Sequence, residues 1–350
     1  MNRLAIATIA TAAPMGAQVY EAQISRGATA ALAAAGDPWH VDDVVARSIR
    51  SPLAGNRRLP IAALERSGTQ ARRVLGRFVY PRGALVHRMG LTLPPAPREV
   101  VTMHDTVAWR YPDEGTPPEA AGAELRAARA VVCVSQFTAD DIAERFRVQT
   151  TRVVHLGVDE RFRDAAPLAP DVLEGLGIRG RYILHAGGAS LRKNLPALAA
   201  AWAKMHDALP DVSLVLSGPP HPRRTELFAG LPRTVLVGRV DQELVPGLIA
   251  AASAVVVPSL DEGFGLPVLE AMAAGTPVVA AATSSLPEVA GGAALLAEPN
   301  GDAIAEALVA LLDGGVDGND LIARGRARAA EFTWERCLAE HAEVWKGAAD

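Results

Sequence analysis

The stretch Ser259-Leu260-Asp261-Glu262-Gly263-Phe264-Gly265-Leu266-Pro267-Val268-Leu269-Glu270-Ala271-Met272-Ala273-Ala274-Gly275 follows the apolar run Ala254-Val255-Val256-Val257. Four apolar residues without alternation predict a strand buried on both faces, as in a parallel sheet covered by helices. Pro267 suits the first turn of a helix, and Gly275 with Pro277 beyond it ends that helix. Gly263 and Gly265 leave the backbone bare just before the helix begins, so a ligand can come close. The reading is strand, glycine loop, helix. Unsatisfied N–H groups and the positive end of the helix then favour an anion, with a diphosphate the obvious candidate.

Working outward, the same alternation recurs. Apolar runs at 182–186, 212–216, 234–237, 254–257 and 277–280 are separated by helix-length segments, the pattern of a parallel α/β sheet. They end at Gly187-Gly188, Ser217-Gly218, Gly238 and Pro258-Ser259, and ligands of such sheets bind at the carboxyl ends of the strands. The first half repeats the pattern less clearly, with strands expected at 4–9, 99–103 and 130–134. Residues 1–14 have the arginine and Ala-rich run of a signal peptide; the competing reading is a first buried strand, a turn at Pro14-Met15-Gly16 and a helix over 17–35. The arginine-rich stretch holding Pro52, Pro60 and Pro81 reads as helices and loops. Residues 164–170, with Ala165-Ala166-Pro167-Leu168-Ala169-Pro170, predict the boundary between two domains, 1–165 and 170–331. The last segment, 332–349, carries Phe332, Trp334, Leu338, His341 and Trp345 at helical spacing and is expected to pack back on the first domain.

A chain of 350 residues with 49% hydrophobic and 21% charged residues has material for two cores and no disordered signature. Cys133 and Cys337 stand without metal-ligand spacing, which predicts neither a zinc site nor a disulfide framework and fits a cytoplasmic setting. No apolar run reaches the roughly 20 residues of a spanning helix. The net charge of −4 is mild and implies no nucleic-acid partner. Between Arg47 and Arg88, however, ten arginines face one acid, Glu65. This is either a solvated surface or a site for an anion, such as a phosphorylated acceptor or an anionic membrane face.

Two acids of the opening stretch carry chemistry. Glu262 precedes the helix and Glu270 lies two turns along it, so the pair can reach opposite ends of one extended ligand. Carboxylates are pure acceptors suited to vicinal hydroxyls; the plain alternative is a capping acid and a solvated one. A second motif, His185-Ala186-Gly187-Gly188-Ala189-Ser190-Leu191-Arg192-Lys193-Asn194, places a basic pair between a glycine turn and a helix that Asn194 would cap. In the first half, His104-Asp105 ends an apolar strand. A histidine there is often structural, and Asp105 would orient its ring or cap the next turn.

At these residues the chain resembles the retaining family-four glycosyltransferases, and in particular their bacterial mannosyltransferase-like subgroup. The spacing of Glu262 and Glu270 is similar to that family's paired-glutamate signature, and Val132 to Thr138, Leu156-Gly157-Val158-Asp159 and Ser284 to Gly291 are similar to its other landmarks. The resemblance implies the GT-B fold, two Rossmann-like domains with a cleft between them, the first binding the acceptor and the second the nucleotide sugar. It implies that Glu262 contacts the transferred sugar, that Glu270 holds the ribose, that Lys193 and Arg192 hold the diphosphate with Gly187, Gly188 and the backbone of Gly263, Phe264, Gly265 and Leu266, and that Arg239 and Val240 line the base. His104 faces the sugar, and Gly16 stands where relatives carry a glycine pair. The function implied is retaining transfer of a hexosyl group, mannose from GDP-mannose first, to a hydroxyl on a glycan, a lipid-linked acceptor or a small molecule, with no cofactor and no metal. A nucleotide-sugar epimerase of the same fold and a non-catalytic nucleotide-sugar binding protein are the alternatives. Relatives carry an arginine where Gly188 stands, and Arg192 is expected to supply that charge.

Overall fold

In the computed structural model, which describes residues 2–12, 16–163 and 165–349, every strand pair is parallel and the chain divides into two units. Unit 1 is Met1–Gly157 with Trp334–Asp350, and unit 2 is Val158–Thr333.

The sheet of unit 1 contains β1 (Arg3–Ile9), β2 (His40–Ser48), β3 (Arg57–Leu59), β4 (Leu85–Arg88), β5 (Glu99–Met103), β6 (Ala130–Cys133) and β7 (Thr151–Val153), in the order β3-β2-β1-β4-β5-β6-β7. The sheet of unit 2 contains β8 (Arg181–Ala186), β9 (Val212–Ser217), β10 (Thr234–Gly238), β11 (Ala254–Val257), β12 (Val278–Ala281) and β13 (Leu295–Ala297), in the order β10-β9-β8-β11-β12-β13. Both are doubly wound. The strand order reverses between β1 and β4 in one sheet and between β8 and β11 in the other, and the ends of those strands are where such sheets open a crevice for ligand.

Residues 4–7, open to two readings in the sequence, are an inner strand, fully buried between β2 and β4. Gly16 starts the helix Gly16–Ala34, whereas Pro14 and Met15 of the expected turn lie outside the described residues. No described helix is long and apolar enough to cross a membrane.

The arginine-rich stretch is corrected by the structure. It holds the end of β2 and all of β3 and β4, not only helices and loops. β4 was hidden because two of its four residues, His87 and Arg88, are polar and yet fully buried. Arg88 pairs with Glu99 at 2.8 Å and with Glu124 at 3.0 Å, and Arg72 pairs with Glu124 at 2.5 Å. Two of the ten arginines are therefore internal ion pairs, where removal of one partner would cost about 3–5 kcal/mol.

The division between the units falls at Gly157 and Val158, not at 165 and 170. Val158 donates its N–H to the Phe332 carbonyl, and Phe162 is buried, so this segment is tied to unit 2 before the Pro-rich stretch begins. Phe332 remains in unit 2 as well, packing on Phe264 at 5.7 Å between ring centres.

The helix Trp334–Ala349 belongs to unit 1 and lies along Gly16–Ala34. Its seam is polar. Trp345 Nε1 is 3.1 Å from His87 Nδ1, His87 Nε2 is 2.8 Å from Thr102 Oγ1, Thr102 Oγ1 is 3.0 Å from Tyr20 Oη, and Tyr20 Oη is 2.6 Å from His341 Nε2. His341 Nδ1 is 2.7 Å from the Cys337 carbonyl. The indole can only donate and the carbonyl can only accept. The two ends of the chain are thereby fixed: Trp345 donates to His87, whose other nitrogen donates to Thr102, and His341 donates to Cys337; with His341 neutral, Tyr20 donates to His341 and Thr102 to Tyr20. His87, whose Nδ1 accepts from the indole, must be neutral, and burial holds both imidazoles well below the ordinary histidine range.

Candidate active site

In unit 2 the loops after β8 and β11 meet at the carboxyl ends of those strands. Leu260 N–H donates to the Arg192 carbonyl at 2.7 Å, and Arg192 Nη1 reaches back to the Asp261 carbonyl at 3.1 Å. Asn194 adds a strut. Its Nδ2 donates to the carbonyls of Pro258, at 3.0 Å, and Pro299, at 2.9 Å. This corrects its expected role as a side-chain cap: Asn194 sits in the left-handed region at φ 53°, which asparagine tolerates, and its amide joins two loops instead.

These struts bring Lys193, Arg192 and Glu262 together. Lys193 Nζ lies 2.5 Å from Glu262 Oε1, Arg192 Nη1 lies 2.7 Å from Oε2, and Ser259 Oγ donates to Oε1 at 2.7 Å. Burial alone would raise the Glu262 pKa; the Lys193 and Arg192 charges and the hydrogen bonds from Lys193 and Ser259 outweigh it and hold the carboxyl at about 2. Glu262 is an ion. Two cations around one carboxylate leave a net positive charge.

That charge stands beside the start of the helix Leu266–Ala274. Gly265, at φ 110°, precedes it in a conformation open mainly to glycine, and the N-terminus has no side-chain cap. Gly275, at φ 75°, closes the helix with N–H bonds to Ala271 and Met272. Ser284 Oγ accepts from Glu262 N–H at 3.0 Å, and the single Ser285 hydroxyl hydrogen is shared between the carbonyls of Glu262, at 2.7 Å, and Phe264, at 2.8 Å. The loop from Glu262 to Phe264 is thus fixed by the loop after β12.

The other wall is the glycine turn after β8. Arg224, buried, donates to the carbonyls of Gly187, Gly188 and Pro219, and Arg223 donates to that of Ala189 at 2.6 Å. Neither arginine was singled out in the sequence. The signal was there, because both occupy the first turn of the helix Pro222–Phe228, where the macrodipole disfavours cations unless acceptors hold them. Gly218 completes the turn: a Cβ there would stand 2.0 Å from the Gly187 oxygen.

Glu270, Arg239 and Val240 make no hydrogen bond to this cluster among the described residues. Glu270 is half-buried, and burial, with Asp159 adding and Arg161 opposing, pushes its carboxyl up to about 8. Arg239 is exposed and Val240 buried just after Gly238, whose carbonyl accepts from Gly218 N–H at 2.8 Å.

Unit 1 has its own crevice where its strand order reverses. A pocket of about 370 Å³ lies at the ends of β1 and β4, lined by Thr8, Thr11, Gln18, Glu21, Gly90 and His104 among others. His104 Nε2 is buried and has no hydrogen-bond partner among the described residues, and burial, with His341 adding, lowers its pKa to about 4. The ring packs edge-on against Tyr20, 4.9 Å between centres. Asp105 Oδ1 accepts from Val107 N–H at 3.2 Å, as a cap of the next turn. Glu21 was missed by sequence reasoning, because a glutamate inside an Ala-rich helix looks solvated; burial pushes it up to about 7.

Residues 180–314 match the family described as "Glycosyl transferases group 1" and residues 18–162 the one described as "Glycosyltransferase Family 4". The O-antigen chain mannosyltransferase B of Escherichia coli is 32% identical over 290 residues, 77% of this chain and 74% of that protein. A GDP-mannose-dependent alpha-(1-6)-phosphatidylinositol dimannoside mannosyltransferase of Mycobacterium tuberculosis is 31% identical over 213 residues, 60% of this chain and 55% of that protein. Among solved structures, sucrose-phosphate synthase of Thermosynechococcus elongatus superposes with a TM-score of 0.74 at 25% identity, over 98% of each chain.

Proposed function

Because the chain belongs to the family 4 glycosyltransferases of GT-B fold, with a group 1 stretch in its second half, we propose that it moves a mannosyl group from GDP-mannose to an acceptor hydroxyl with retention of configuration. The observation that carries this reading is the pair of cations on Glu262, Lys193 at 2.5 Å and Arg192 at 2.7 Å, at the start of an uncapped helix.

Lys193, Arg192 and the backbone from Gly263 to Leu266 hold the donor diphosphate, Gly187 and Gly188 giving it room. As the anomeric C–O bond breaks, charge grows on the departing diphosphate, and these groups are already aimed at it. No metal is needed for that charge. Glu262 keeps one acceptor position beyond its three bonds, enough for a sugar hydroxyl. Clamped by two cations it is a poor nucleophile, which disfavours a covalent glycosyl-enzyme. The acceptor oxygen attacks instead from the face the diphosphate leaves, and its proton passes to the departing phosphate oxygen. Neutral His104 hydrogen-bonds the sugar, Glu270 holds the ribose, and Arg239 with Val240 lines the base.

Mannose and GDP are supported by the names of the two relatives, and the acceptor is proposed to be a glycan or glycolipid hydroxyl held by unit 1. A thermal-shift panel of nucleoside diphosphates and nucleotide sugars tests the donor, since a ligand at 100 times its Kd stabilises by about 2.7 kcal/mol. GDP and GDP-mannose should raise Tm, and proton NMR of the product should show an α-linkage. Stabilisation by UDP alone, or an inverted product, overturns the reading.

A further inference from the structure

The helix Thr69–Val79 carries its apolar stripe on the wrong side for a core element. Ala71, Val74, Leu75 and Phe78 stand at i, i+3, i+4 and i+7, the spacing of a helix face that packs inward. Yet Phe78 is 79% exposed, Val74 56% and Leu75 42%. The buried residues are Arg72, Gly76 and Val79 on another face.

This orientation is enforced. Arg72 reaches the carbonyls of Leu64, Leu91 and Leu93 and the carboxylate of Glu124, all within 2.8 Å. Gly76 lies so close to Pro95 that a Cβ would stand 1.8 Å from its carbonyl oxygen. The helix cannot roll its stripe inward without unpairing a buried guanidinium, which is expensive.

Basic residues flank the stripe. Arg73 and Arg77 are exposed on the adjoining face, Arg66 and Arg82 are exposed at the two ends, and Glu65 is the single acid between Arg47 and Arg88. An apolar arc with an arginine border matches the interface of an anionic bilayer, where the rings and chains enter the acyl boundary and the guanidinium groups meet lipid phosphates. A protein partner would need a matching acidic groove, whereas an anionic bilayer offers both halves at once. We propose that the helix Thr69–Val79 is a membrane-docking element that inserts Leu75, Phe78 and Val74 into the anionic leaflet. This inference is independent of the donor reading.

The test is sedimentation of the full chain with phosphatidylcholine vesicles and with vesicles containing phosphatidylglycerol. The protein should sediment with the anionic vesicles only. Leu75→Gln with Phe78→Gln should lower binding by about ten-fold or more, and Arg73→Gln with Arg77→Gln by about five-fold per arginine, with the salt dependence reduced. All four positions are exposed, so Tm should be unchanged, which separates lost docking from lost folding. Absence of binding to anionic vesicles, equal binding to neutral ones, or apolar variants that bind like the wild type would overturn the proposal. So would a dimer in the absence of lipid that L75Q/F78Q dissolves, since the stripe would then be covered by a second copy.

Discussion

Lys193 Nζ and Glu262 Oε1 lie 2.5 Å apart although 69 residues separate them, and both are nearly buried. The pair joins the ends of the two strands at which the sheet of unit 2 reverses. Lys193→Ala should weaken GDP binding about 10- to 100-fold, the range of a lost charged hydrogen bond, as read by calorimetry. Glu262→Ala leaves two cations facing each other and should cost about 3–5 kcal/mol of stability. Because folding lowers the Glu262 pKa from 4.5 to about 2, its contribution is present above pH 4.5 and is lost as pH falls towards 2. Unchanged GDP affinity in folded Lys193→Ala would remove this residue from the donor site.

Gly218 should be intolerant of any side chain. Its φ of 142° lies where side chains are rarely placed, and a Cβ would meet the Gly187 oxygen at 2.0 Å. Gly218→Ala should cost about 2 kcal/mol or more, displace the turn that Arg224 holds, and weaken nucleotide binding together with stability. A crystal structure of the variant with the turn unmoved would contradict this.

Much of unit 2 was legible because its strands are mostly apolar and four of them, β8 to β11, end at glycine, serine or proline; β8 to β12 were all visible as runs. β13 was not, since the run Ala293 to Ala297 is mostly alanine, which favours helix over strand, and only its last three residues pair at the sheet edge. In unit 1 the difficulty was chemical. β2 contains Asp42 and Asp43, and β4 contains His87 and Arg88, so polar residues broke the pattern where tertiary partners satisfy them. The Lys193 and Glu262 elements could be found by motif, but the bond between them needed the loops to be folded. The outward stripe of Thr69–Val79 was unreadable for the same reason: its periodicity predicts burial, and only the anchoring of Arg72 and Gly76 reverses it.

Glu270 yields a proton-linked prediction. Burial raises its carboxyl to about 8, so at pH 7 it is largely protonated, whereas ribose hydroxyls would favour the ionised acceptor. GDP binding at pH 7 should release a fraction of a proton, and affinity should rise with pH up to about 8 and then level. Calorimetry in two buffers of different ionisation enthalpy measures the release. Glu270→Gln should bind more weakly with no release. Wild-type binding without proton release would place the ribose elsewhere.

The hydrogen-bond chain from Trp345 to Cys337 makes unit 1 sensitive to acid. His87, His104 and His341 are buried in or beside it, and burial, with repulsion from neighbouring histidines adding at His87 and His104 and the Cys337 carbonyl opposing at His341, holds all three below 6.5, His104 and His341 at about 4. A depressed pKa means that stability is present above 6.5 and is lost as pH falls towards 4, because the unfolded chain takes up protons that the folded one refuses. Each such group removes up to about 1.4 kcal/mol per pH unit in that window. Glu21 works in the opposite sense. Its pKa is raised to about 7, so its contribution is complete below pH 4.5 and is lost as pH rises towards 7, and between 6.5 and 4.5 it partly masks the histidines. Glu21→Gln removes the mask without touching the chain. In that variant, hydrogen exchange of peptides from β4 and β5 should show protection falling steeply from pH 6.5 to 4.5 after correction for the intrinsic exchange rate. Tyr20→Phe, which takes the proton away from His341 Nε2 and leaves buried groups unpaired, should cost about 1–3 kcal/mol at pH 7.5. Protection that stays level down to pH 4.5 in Glu21→Gln would mean that the histidines are not held neutral by the fold.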